Sequence, residues 1–191
     1  SPCQQVLVLD ADQLSTLAVV RSLGRSGCAV TAAAASPHAI AFQSRYASRH
    51  LIYPDPLQQH GAFLEWLTNT LTNHRFDLVI PVTDRSIVPI LTIRDALEAL
   101  SPIAIAPNPV MDQVLSKCRM HSLAREAGLH VPESWIIKAP AALETIAPRN
   151  GFPLVVKAER SLAWLDGYGQ ALETRYVTDR TTLKDIWARY A

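Results

Sequence analysis

Cysteine is scarce in this chain and poorly placed for chemistry. Cys3, Cys28 and Cys118 are scattered through 191 residues. No Cys-x-x-Cys or Cys/His spacing occurs, so neither a disulfide frame nor a structural zinc site is expected. Three reduced thiols in a cytoplasmic protein are the expectation. The six histidines (His38, His50, His60, His74, His121, His130) form no HxH or HExxH pair. No GxGxxG follows the first strand-like run, no GxxxxGK[ST] occurs, and no GxSxG elbow exists. Metal, hydride-transfer and serine-hydrolase readings fall away on these motif grounds. A strong charge of either sign is also missing. The formal net charge is +1, so no global field draws in nucleic acid or an anionic membrane. Long apolar runs are absent too: 29–35 is among the longest, well short of a membrane span. The first ten residues, SPCQQVLVLD, lack the basic start and long apolar core of a signal peptide.

What is present is a globular composition. Hydrophobic residues make up 49% and charged residues 18%, enough to bury a real core. Residues 6–10 (VLVLD) read as a buried strand ending in a carboxylate. Leu14, Leu17, Ala18, Val20 and Leu23 then recur at helical spacing, and Gly27 suits the stop. Strands are expected at 28–35, 51–53, 77–82 and 103–106. Helices are expected at 39–46, 61–72 and 87–100, with Pro89 tolerable only in a first turn. Strand and helix alternate with short connections, which implies a parallel sheet covered on both faces. Pro107-Asn108-Pro109 marks a boundary. The expected division is 1–109 and 110–191.

The second part reads as a smaller α+β unit. A helix is expected over 110–127, stopped by Gly128. Strands follow at 134–137 and 152–158, with a short helix at 141–146 between them. Residues 159–169 read as a loop, 171–177 as a strand, and Thr178-Asp179 as the cap of a last helix.

Several residues carry a functional and a plain reading side by side. Lys157 ends an apolar run, so it either escapes to solvent along its stem or meets a buried anion. Lys117 lies near a helix start, where its charge is disfavoured unless an anion shares the site; it also reads as a solvated surface lysine. Gly167 and Gly169 suit a backbone that approaches phosphate, but on their own fit a hairpin tip better. Asp10, Thr83 and Asp84 fall at carboxyl ends of strands, where open α/β sheets bind ligands; Asp84 could instead cap a helix. Arg21 and Arg45 are candidates for pairing with a carboxylate, or plain surface arginines.

The stretch 116–132, SKCRMHSLAREAGLHVP, resembles the "DK…la…Gi.vP" segment of ATP-grasp enzymes. Residues 152–158, FPLVVKA, resemble the "yPvVvKp" strand that follows it there. The upstream half is similar to the Rossmann-like domain that precedes the grasp domain in carbamoyl phosphate synthetase large subunits and biotin carboxylases, with DLVIPVTD (77–84) at its ligand-facing edge. The resemblance implies a Rossmann-like parallel sheet followed by the small α+β first subdomain of an ATP-grasp fold. It implies ATP as cofactor, with magnesium in the intact parent. It also implies an acyl phosphate that an amine or other nucleophile attacks, so the partners are a small-molecule carboxylate and that nucleophile; a homodimer is a further possibility. Carried over, Lys117 and Lys157 contact the nucleotide phosphates, and Gly167 and Gly169 lie in a loop that closes over them. Arg21, Arg45, Thr83 and Asp84 are the places to look for substrate contacts. Ser116 departs from the usual Asp, and Ala158 from the common Pro. The segments that in the family contact adenine and hold magnesium have no counterpart here. The expectation is an N-terminal fragment that binds ATP weakly or not at all and turns nothing over.

Two other readings stand beside this one. VLVLDAD places Asp10 and Asp12 where a receiver domain has its acidic pair, with Thr83 after a later strand, although no Lys-Pro pair follows 103–106. A Rossmann-like binding module without catalysis is the other.

Overall fold

The computed structural model describes residues 4–146, 151–165 and 168–190. The contacts of the chain divide it into two compact units. The first holds residues 1–108 and 162–170, the second 109–161 and 171–191.

The first unit is built on a parallel sheet of β1 (Gln5–Val8), β2 (Ala29–Ala34), β3 (Ala47–Ile52) and β4 (Leu78–Ile80), in the order β3-β2-β1-β4. Parallel neighbours need crossovers. These are α1 (Leu14–Arg25) after β1 and α2 (His60–Asn73) after β3, with a 3₁₀ turn at Ile40–Gln43 between β2 and β3. The period of two along β1 sorts its side chains between two cores. Leu7 and Leu9 pack with Phe63, Leu67 and Ile90. Val6 and Val8 pack with Val20, Val30 and Ala32. Helix α1 ends as its sequence dictates. Gly27 has φ +87°, and the Cys28 N–H donates to the Leu23 carbonyl at 3.1 Å, closing a Schellman-type stop.

Beside the helix expected over 39–46, which is only the 3₁₀ turn Ile40–Gln43, three expectations for this unit need correction. First, β3 is six residues long, although only its last two fall within the expected strand. Its Ser48, Arg49 and His50 are exposed on the sheet's outermost strand, so no apolar alternation marked them. Second, α3 (Asp84–Thr92) starts three residues early and carries Pro89 in its second turn. The helix gives way at Ile93 to a short α4 (Arg94–Glu98). Third, residues 103–106 form no strand; Ile103 makes a single parallel bridge to Val79.

In the second unit, α5 (Asn108–Val114) and α6 (Lys117–Glu126) replace the single helix expected over 110–127. The break lies at Leu115-Ser116, because the Ser116 hydroxyl caps α6 by accepting from the Arg119 N–H at 3.3 Å. None of the residues of α6 is buried, so its apolar stripe covers no core. Residues 134–137 are not a strand; Trp135 and Ile137 pack instead against Leu143, Ile146, Val177 and Leu183. A 3₁₀ turn spans Pro140–Thr145. Strand β5 (Leu154–Val156) pairs antiparallel with β8 (Arg175–Val177). Helix α7 (Arg180–Tyr190) closes the described chain, and the Asp179 carboxylate accepts from the Thr182 N–H at 2.8 Å at its start.

Where a loop was expected over 159–169, β6 (Leu162–Leu165) and β7 (Tyr168–Ala171) pair in a two-stranded sheet. Among the described residues no helix is long and apolar enough to cross a membrane.

Candidate functional site

Strand parity decides where Lys157 goes. Leu154 and Val156 face the small core, so Val155 and Lys157 face the other way. Val155 is 51% exposed, and Lys157 is exposed as well. Lys157 therefore meets no anion inside the core, and its side chain stands open to solvent or to a ligand from solvent.

Lys117 is half-buried and held at both ends. Its N–H donates to the Glu159 carbonyl at 3.0 Å, and its Nζ donates to the Ser161 Oγ at 3.0 Å. The preceding residue, Ser116, is 1% exposed and donates its hydroxyl to the Glu159 carboxylate at 2.7 Å. Residues just beyond Lys157 are therefore bonded to the first residues of α6. The negative Glu159 near this helix start also offsets the unfavourable placing of the Lys117 charge. Sequence reasoning passed over Glu159 and Ser161; a carboxylate two residues after a strand-end lysine was the available signal.

Gly169 is buried in β7, and its N–H donates to the Leu57 carbonyl at 2.7 Å. Gly167 lies outside the described residues.

At the carboxyl edge of the parallel sheet, Asp10 gathers the polar groups. It is 2% exposed and has φ +58°. Asp tolerates this left-handed conformation better than most residues. Its Oδ2 accepts from Val82 N–H (3.1 Å), Thr83 N–H (2.8 Å) and the Ser86 hydroxyl (2.6 Å). Its Oδ1 accepts from the Tyr53 hydroxyl at 3.3 Å, and that hydroxyl in turn accepts from the Asp10 N–H at 3.1 Å. Burial pushes the Tyr53 phenol well above its ordinary range, and the Asp10 charge pushes it further. Arg85 sits beside this group. It pairs with Asp55 at 3.1 Å and with Asp12 at 3.6 Å. Burial pulls the guanidinium pKa down, but Asp55 and Asp12 outweigh that and raise it.

Thr83 precedes α3 without capping it, and its Oγ1 is buried with no hydrogen-bond partner. Asp84 is the first residue of α3, an acidic group in the first turn rather than the cap. Arg21 and Arg45 fall elsewhere. Arg45 precedes β3, whose Ala47 lies beside Val30 near the start of β2, so it is at the amino edge of the sheet. Its guanidinium donates to the Tyr46 hydroxyl at 2.8 Å and lies 4.9 Å from that ring's centre. That hydrogen bond lowers the Tyr46 pKa. Arg21 is exposed on α1, in the half of the helix that runs back toward the same amino edge. The sheet brings Thr83 and Asp84 together with Asp10, and leaves Arg21 and Arg45 at the opposite edge.

The receiver arrangement is not available here. Asp10 is saturated by internal donors, and Asp12 and Asp55 share the Arg85 cation. Among the described residues no group of three or more His, Cys, Asp or Glu could hold a metal ion.

No family model and no curated protein matches this sequence. Solved structures do. An L-amino acid ligase from Bacillus licheniformis matches over 97% of this chain and 42% of its own, with a TM-score of 0.66 and 18% identity. The biotin carboxylase domain dimer of a 2-oxoglutarate carboxylase from Hydrogenobacter thermophilus, in complex with MgADP, ADP and bicarbonate, matches over 97% of this chain and 40% of its own, at 0.62 and 19%. The biotin carboxylase domain of a single-chain bacterial carboxylase matches over 97% and 39%, at 0.54 and 15%. The chain has the fold of the N-terminal portion of ATP-grasp enzymes. It spans about 40% of the length of these neighbours. At such identities the likeness is one of fold, and chemistry has to be argued from the side chains.

Proposed function

We propose that the chain is the leading part of an ATP-dependent carboxylate ligase of the ATP-grasp family. ATP phosphorylates a small carboxylate, and an amine or other nucleophile displaces phosphate from the acyl phosphate. The observation that carries this reading is the bonding of Glu159 and Ser161, just past the Lys157 strand, to Ser116 and Lys117 at the start of α6. Two lysines borne on segments bonded to each other suit a polyphosphate, whose dense charge is met by cations and helix N-termini. Lys117 and Lys157 would hold the nucleotide phosphates. Gly169, whose N–H is spent on Leu57 inside the first unit, is left out, and Gly167 lies outside the described residues. At the sheet edge, the buried unpartnered Thr83 hydroxyl and the neighbouring Asp84 are the candidate contacts for the carboxylate or its nucleophile. Arg21 and Arg45, at the other edge, are left out.

Magnesium belongs in this reading to the intact parent; among the described residues no group of three or more His, Cys, Asp or Glu is placed to hold a metal ion. Homodimer formation and cytoplasmic location belong to the proposal, as does the narrower likeness to carbamoyl phosphate synthetases.

The test is titration of the 191-residue chain with ADP and ATP, followed by amide chemical shifts so that weak binding registers. Shifts should concentrate at 116–119 and 157–161. Lys117→Ala and Lys157→Ala should each weaken binding by about tenfold or more, the loss expected when a charged hydrogen bond is removed. Binding that ignores both substitutions would reject the reading. The chain alone is expected to release no phosphate from ATP, so measurable release would contradict that part.

A further inference from the structure

We propose that Glu159 is a positioning residue for the nucleotide-facing lysines, acting through Ser116. The idea rests on the phosphate-binding reading above and adds a residue that neither motif contains. Three bonds converge on residues 159–161. The Ser116 hydroxyl donates to the Glu159 carboxylate at 2.7 Å. The Lys117 N–H donates to the Glu159 carbonyl at 3.0 Å, and the Lys117 Nζ donates to the Ser161 hydroxyl at 3.0 Å.

Ser116 can hold this position because a hydroxyl both donates and accepts. It accepts from the Arg119 N–H at 3.3 Å, capping α6, while it gives its proton to Glu159. An aspartate at 116 could only accept. It would cap the helix equally well but would set a second carboxylate against Glu159. The hydroxyl at 116 and the carboxylate at 159 therefore form a matched pair. Ser116 is 1% exposed while Glu159 is exposed, so the bond is part-buried; a hydroxyl bonded to a carboxylate is shorter and stronger than a neutral pair. The pair fixes the start of α6 against the segment that follows Lys157. Both lysines then approach a ligand from anchored backbone, which removes ordering cost from binding.

Substitutions separate geometry from charge. Glu159→Gln keeps an oxygen to accept from Ser116, and Glu159→Ala removes it. ADP titration of the whole chain should give near-parental affinity for Glu159→Gln and about tenfold weaker binding for Glu159→Ala. Ser116→Asp should weaken binding similarly. Ser116→Asp combined with Glu159→Gln should recover it, because the amide can donate to the new carboxylate. Tighter binding by both Glu159 variants would instead make the carboxylate a competitor for the phosphate and overturn the proposal. Unchanged binding in Glu159→Ala would reduce it to a structural contact.

A second readout decides the case if the parental chain binds no ADP, an outcome that sinks the nucleotide reading alone. Amide hydrogen exchange at Lys117 should be protected in the parental chain. It should be at least about tenfold faster in Glu159→Ala, and restored in Glu159→Gln. Equal protection in all three would reject positioning, whatever the ligand.

Discussion

Asp10 and Ser86 lie 76 residues apart and are joined by a 2.6 Å hydrogen bond. The same carboxylate oxygen takes the N–H groups of Val82 and Thr83. One buried acid thus fastens the end of β1 to the segment leading into α3. Its removal orphans two amides and a hydroxyl, each costing about 1–3 kcal/mol when left unpaired. Asp10→Ala should lower stability by about 3 kcal/mol or more, measured by urea unfolding. Asp10→Asn, which also tolerates a left-handed backbone, should lose less. A loss below about 1 kcal/mol for Asp10→Ala would show that water replaces the carboxylate.

Tyr53 gives this knot a pH signature. Its phenol pKa is raised above the ordinary 10.0, first by burial and then by the Asp10 charge. A raised value means the folded chain keeps a proton that the unfolded chain releases. The stabilisation is complete below pH 10 and declines as pH rises above it. Tyr53→Phe should cost about 1 kcal/mol at neutral pH through lost hydrogen bonds. It should also flatten the decline of melting temperature between pH 9 and roughly pH 11. An alkaline limb of the same slope in both proteins would remove Tyr53 from the account.

Gly24 lies inside α1, where glycine is normally costly. A Cβ there would run into the Cβ and ring of Tyr46, so the helix and the segment before β3 touch through a missing side chain. Gly24→Ala should destabilise by about 1–3 kcal/mol despite its better helix propensity. Gly61 in α2 is the control, with nothing within 4 Å of its would-be Cβ. Gly61→Ala should be neutral or stabilising by up to about 1 kcal/mol. Equal effects of the two changes would mean the Tyr46 contact is not tight.

Arg85 serves two acids at once, with its side chain 33% exposed. Partial exposure limits such a bridge to about 1 kcal/mol, and salt screens it. Arg85→Ala should cost about that much in low salt and less in 1 M sodium chloride. A cost that does not change with salt would point to packing by the arginine stem instead.

What could be read in the sequence follows from where water is excluded. β1 and α1 showed themselves through apolar periodicity, because both faces of β1 are covered. The exposed edge strand β3 had no such constraint, and Ser48-Arg49-His50 hid it. Residues 134–137 read as a strand, yet Trp135 and Ile137 pack against Leu143 and Val177 without a partner strand. At the candidate site, Lys117 and Lys157 stood out by residue type and local context. Asp10 with Ser86, and Ser116 with Glu159, span 76 and 43 positions. A local pattern carries no trace of such pairs; only the fold brings them together.

The two lysines should differ when nothing is bound. Lys117 spends its Nζ on Ser161 and is half-buried, whereas Lys157, one residue past β5, is exposed. Lys157→Met should therefore leave stability within about 0.5 kcal/mol of the parental chain, as surface changes do. Lys117→Met should cost about 1 kcal/mol through the lost hydrogen bond. This asymmetry protects the binding test, because any loss of ADP affinity in Lys157→Met would then arise in a chain whose fold is intact. Thermal unfolding of both variants without ligand checks it. A large destabilisation by Lys157→Met would mean that its ammonium is part of the folded core, and its loss of affinity could no longer be assigned to phosphate.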